Sequence, residues 1–186
     1  MNRRNAIRNI GLLLGSAALT PGMARAIGAG YVSPAPGLAP RVLSAEQNEL
    51  VATLAELIIP TTSTPGGRAA RVDAFIDGML ADILSAEERD RFLAGLADVD
   101  ARAHAAHGVA FVQATPAQQT ALLTTMDLAS REAAKGSHPF FPWIKQLTLV
   151  GYYTSEIGAS QELKYVHVAG KYDGDVPYSQ VGRAYS

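Results

Sequence analysis

Between Ser44 and Gly158 the apolar residues recur every three or four positions, the period of a helix with one face turned to a core. Leu50, Val51, Leu54, Leu57 and Ile58 make the first stripe, opened by the capping box Ser44-Ala45-Glu46-Gln47 and stopped by Pro60. Val72, Phe75, Ile76, Met79, Leu80 and Ile83 make the second, with the helix entered at about Ala69. Ser85-x-x-Glu88 caps a third that carries Phe92, Leu93, Leu96 and Val99 and runs to a stop near Gly108. Thr115-Pro116-Ala117-Gln118 opens a fourth, with Leu122, Leu123, Met126 and Leu128. The fifth, Phe140 to Gly158, admits Pro142 in its first turn. Alternation of the kind a strand needs is confined to Val166 and Val168, inside a Gly-rich segment. The pattern predicts an all-α fold, a small domain of about five helices with an irregular, tyrosine-rich C-terminal tail.

The fifth stripe holds the only Trp and two of the seven Tyr. Advancing 100° per residue gathers Trp143, Ile144, Leu147, Val150, Tyr153 and Ile157 into the expected core face. Lys145, Thr148, Ser155 and Glu156 are expected in water, yet Leu149 and Tyr152 stand among them, three residues apart and able to touch. Either a second layer of this chain or a partner covers that side. The tail from Glu162 to Ser186 carries Tyr165, Tyr172, Tyr178 and Tyr185, and so aromatic a segment is expected to lie along a surface. Leu149, Tyr152, Tyr165, Tyr172 and Tyr178 are therefore the expected partner interface.

The N-terminus follows a different pattern. Arg3, Arg4 and Arg8 precede a short apolar run from Ile10 to Leu19, and Ala24 and Ala26 offer the small residues of a cleavage site. Residues 1–26 read as an export signal, with Arg3 and Arg4 as the pair of a twin-arginine signal and an ordinary Sec signal as the alternative; both lead to the periplasm. Residues 27–43 read as an extended leader rich in Gly and Pro, and residues 44–186 as the helical domain with its tail.

Composition narrows the partners. With 48% hydrophobic and 18% charged residues in 186, the chain is ordinary globular material. Loss of residues 1–26 removes four arginines and no acid, taking the net charge from −1 to −5, which argues against nucleic acid as partner. With no cysteine, the chain has no thiolate for a disulfide, an iron–sulfur cluster or covalent haem attachment.

Candidate chemistry is sparse. Asp100, His104 and His107 fall at i, i+4 and i+7, on one side of the third helix, where two imidazoles and a carboxylate suit a transition metal. The competing reading is a helix C-terminus that favours His against its dipole. The loop Pro60 to Arg68 is Gly-rich but lacks both phosphate-binding fingerprints. Neither a nucleophile elbow nor a His-Glu-x-x-His helix motif occurs, and Glu156 beside Ser155 reads as a solvated or interface carboxylate.

The segments LAELIIPTTSTPGG, VDAFIDGML and FFPWIKQLTLVGYYTSEIG, with the downstream KYDGDVPY, resemble gluconate 2-dehydrogenase subunit 3 over roughly residues 44–180. The resemblance implies a helical small subunit without a cofactor or catalytic residues of its own. It implies a large FAD-containing partner of the glucose–methanol–choline oxidoreductase type that oxidises a sugar, sugar acid or polyol. A haem c subunit that takes the electrons onward is implied as a possible third chain, with membrane contact only through the complex. A free-standing periplasmic metal-binding protein or enzyme built on Asp100, His104 and His107 is the rival reading.

Overall fold

A computed structural model describes residues 39–133 and 139–163, together with positions 137, 165, 175, 177 and 179. The described chain is helical, without a strand: α1 (Ala45–Ile58), α2 (Val72–Asp82), α3 (Ala86–His107), a 3₁₀ turn (Phe111–Gln113), α4 (Pro116–Arg131), α5 (Phe140–Tyr153) and a π-helical turn (Gly158–Glu162). The all-α expectation holds. All three capping boxes form as the sequence predicts, each with the hydroxyl on the amide three residues on and the Gln or Glu side chain reaching back. Gly108 ends α3 in the left-handed region at φ 75°, which a residue without Cβ adopts freely.

α2 begins three residues later than expected. The amides of Ala70, Arg71 and Val72 bond back to Gly66, Arg68 and Gly67 at 3.1, 3.1 and 3.2 Å, so this stretch is a turn rather than the first helical residues. Arg71 then enters α2 from a left-handed conformation at φ 55°, uncommon for a residue with a side chain.

The core lies where α5 meets α1, α2 and α4. Val51, Leu54, Ile76, Leu80, Phe92, Leu96, Ile144 and Leu147 are almost wholly enclosed there. The rings of Phe140 and Trp143 stand edge-on to Phe92 at 5.3 and 5.4 Å between centroids, which joins the start of α5 to α3.

The buried face of α5 is rotated from the one the apolar stripe suggests. Its buried residues are Phe141, Trp143, Ile144, Leu147, Thr148, Gly151 and Tyr152, whereas Tyr153 is 41% exposed. Gly151 lies on this side: a Cβ there would stand 2.7 Å from the Phe75 ring, so the absence of a side chain accommodates the close approach of α5 to α2 beside Thr148 and Tyr152. Thr148, expected in water, is fully enclosed. On α4, Leu128, expected on the apolar face, is 56% exposed.

The fold also begins earlier than Ser44. Arg41, Val42 and Leu43 donate their backbone N–H groups to the Asp77 carboxylate at 2.8, 2.9 and 2.9 Å, and Leu43 is part of the core. Asp77 is itself buried, and a buried carboxylate needs such donors. Arg41 also grips Asp82 with two hydrogen bonds, of 2.9 and 2.6 Å, which hold the Asp82 carboxyl below its ordinary range.

Candidate functional site

Conserving length would need only a short link between α1 and α2, yet residues 60–68 form a loop fastened from several sides. Glu56, on the last turn of α1, receives the Thr61 N–H at 2.8 Å, the Thr61 hydroxyl at 2.7 Å and the Arg68 N–H at 3.1 Å. Burial pushes the Glu56 carboxyl up, but these donors and the Arg68 charge outweigh it and hold the group below its usual 4.5. Arg68 reaches across to Glu49 with two hydrogen bonds of 3.0 and 2.8 Å, which hold Glu49 low as well. The Gly67 N–H closes the loop on the Ile59 carbonyl at 2.8 Å, and a Cβ on Gly67 would stand 2.5 Å from the Ala55 carbonyl oxygen.

From the opposite side the Tyr152 hydroxyl donates to the Pro65 carbonyl at 2.7 Å, and the Thr64 hydroxyl donates to Glu162 at 2.8 Å. These two bonds join the loop to the end of α5 and to the π-helical turn, across 87 and 98 residues of chain. What they hold in place is an uncharged tip, Thr61-Thr62-Ser63, exposed to solvent. Tyr153 stands edge-on to the Tyr152 ring at 5.4 Å, and Leu163 and Tyr165 follow Glu162 directly; all three are exposed.

The sequence-predicted interface is therefore divided. Tyr152 is only 1% exposed and belongs to this chain's own core and loop support, so it offers a partner nothing; a second layer of the chain covers it. Leu149, one helical turn from Tyr153, is exposed as expected, and so is Tyr165. Tyr172 and Tyr178 lie outside the described residues, as do Arg3, Arg4, Ala24 and Ala26.

Of the candidate metal residues, Asp100 turns to the end of its helix. Asp100 accepts the Phe111 N–H at 2.8 Å, which caps the 3₁₀ turn, and its other oxygen lies 3.7 Å from His104 Nε2. Among the described residues no three His, Cys, Asp or Glu side chains come together as metal ligands. A groove of about 240 Å³ between α1, α4 and α5 has Leu57, Ile58, Leu123 and Phe141 on its apolar wall. On its polar side Asp127 pairs with Arg131 and lies 3.9 Å from Lys145, and the Thr124 hydroxyl bonds its own helix.

The family model described as Gluconate 2-dehydrogenase subunit 3 matches residues 45–170. The chain belongs to this family. No curated protein and no solved structure matches it. The family description makes gluconate 2-dehydrogenase subunit 3 one chain of a multi-subunit complex. No helix among the described residues is long and apolar enough to cross a membrane.

The sequence carries a signal for the fastened loop in its carboxylates. Glu56 stands on α1 five residues before Thr61, and Asp73 and Asp77 interrupt the apolar face of α2. A carboxylate beside a core needs donors: for Glu56 and Asp77 they include backbone amides of the neighbouring loop and leader, and for Asp73 the side chains of Asn48 and Arg71.

Proposed function

We propose that this chain is the non-catalytic small subunit of a periplasmic FAD-dependent dehydrogenase complex that oxidises a sugar, sugar acid or polyol. The observation that carries this reading is the family match over residues 45–170. The N-terminal segment supports it: Arg3 and Arg4 before an apolar run form a twin-arginine type of signal, and that route carries folded proteins. A signal of this kind on a cysteine-free chain suits a subunit that escorts a cofactor-loaded partner and helps it to mature and stay folded. The partner is a large FAD-binding subunit of the glucose–methanol–choline type, with a haem c subunit as the onward electron acceptor.

Expression of the chain together with a candidate large subunit tests the reading. The expected result is a complex that carries flavin absorbance in the periplasmic fraction, and Arg3→Lys with Arg4→Lys strands both subunits in the cytoplasm. A chain exported and purified with no flavoprotein bound would overturn it.

A further inference from the structure

We infer that Glu56 is the trigger of an acid-operated latch: a proton on its carboxylate releases the loop at residues 61–68 from α1, and with it the tie to the end of α5, while the helical core stays folded. The carboxylate is the hub of the loop. Its Oε1 accepts both the N–H and the hydroxyl of Thr61, at 2.8 and 2.7 Å, and its Oε2 accepts the Arg68 N–H at 3.1 Å. All three of these partners donate, so a proton on the carboxyl removes the charge that strengthens every one of the bonds. The Thr61 hydroxyl carries the effect to the other side of the loop, because it also accepts the Gly66 N–H at 3.0 Å. A Cβ on Gly66 would stand 2.5 Å from Glu56 Oε2, so the carboxylate lies directly against the loop backbone.

The loop can leave without disturbing the core. Among the described residues, no side chain from positions 60–68 belongs to the buried apolar cluster, so opening uncovers no core side chain of the loop. The charged groups around the carboxylate are Arg68 in the loop, Glu49 on α1 and Asp73 on α2, and both of these acids draw on the same guanidinium. On its other side the loop meets Glu162, through Thr64, and the uncharged Tyr152 hydroxyl of α5, through Pro65. Burial pushes the Glu56 carboxyl up, but the Thr61 and Arg68 donors, which opening removes, hold it below 4.5. The folded value is the depressed one, so the latch is closed above pH 4.5 and opens as the pH falls through that lower value. Opening bares the Gly67 backbone packed on Ala55 and takes the Pro65 carbonyl from the Tyr152 hydroxyl.

Amide hydrogen exchange of the full chain, corrected for the intrinsic pH dependence of exchange, reads the latch residue by residue. Between about pH 6 and about pH 3, protection of the Thr61, Gly66 and Arg68 amides is expected to fall about tenfold or more, while that of Leu54 in α1 and Leu147 in α5 changes less than about twofold. Glu56→Gln is expected to show low protection at the three loop amides at both pH values, with no step between them. Glu162→Gln, which leaves Glu56 in place, is expected to keep the step. A step of full size in Glu56→Gln, or its disappearance in Glu162→Gln, overturns the assignment of the trigger. Loss of the Leu54 and Leu147 protection together with that of the loop overturns the latch as a local device, and so does a wild-type chain with no step. The latch needs only this chain, so its failure leaves the subunit reading standing.

Discussion

Tyr152 carries its ring in the core and its hydroxyl on the Pro65 carbonyl, so one side chain performs two separable tasks. Tyr152→Phe keeps the ring and removes one hydrogen bond, with an expected loss of about 1 kcal/mol and a looser loop. Tyr152→Ser empties the site and is expected to cost on the order of 3 kcal/mol or more. Leu149→Ser, at a side chain 39% exposed, is expected to leave thermal stability nearly unchanged. Chemical denaturation of the three variants checks the order, and a Tyr152→Ser protein as stable as Leu149→Ser would contradict the burial. The helical wheel of α5 was legible in part: Trp143, Ile144 and Leu147 are buried as the stripe suggests, and Thr148 and Tyr152 are buried against it. What it lacked was Gly151, since a residue with no side chain carries no hydropathy signal yet accommodates the close approach to Phe75.

The loop between α1 and α2 behaves as an element although it has no regular structure. Its principal fastener is Glu56, whose carboxyl is lower in the folded chain than its ordinary 4.5. A depressed acid contributes stability that is fully present above its unfolded value and is lost as pH falls through its folded value. Melting of the wild type is therefore expected to drop more steeply below pH 4.5 than melting of Glu56→Gln, which has no proton to gain. A stability gap between the two that stays constant on acidification would exclude Glu56 as the fastener. Helix starts were legible here because capping boxes are local, with donor and acceptor three residues apart. Asp100 shows the opposite case: its spacing with His104 and His107 suggested a metal, whereas its bond to the Phe111 amide, beyond the turn at Gly108, left no local signal.

On the scale of the whole molecule, Asp77 fastens the stretch before α1, because its carboxylate gathers the amides of residues 41–43 onto α2. Asp77→Ala is expected to cost on the order of 2–3 kcal/mol, since those donors lose a charged acceptor. It should also open residues 41–44 to limited proteolysis, while Asp82→Asn, in an exposed pair with Arg41, changes stability by less than about 1 kcal/mol. An unchanged cleavage boundary in Asp77→Ala would remove the clamp from the account. By itself the sequence determined the helical class, the five α-helices among the described residues, most of their starts and the family, because periodicity, caps and family motifs are carried by near neighbours along the chain. The tertiary structure alone decided that Tyr152 is internal, that Tyr153 is outside, and that the loop at residues 60–68 is joined to the end of α5 and the turn at Glu162. Those outcomes depend on contacts between residues tens of positions apart, which hydrogen-bond geometry and close packing select only once the helices have met.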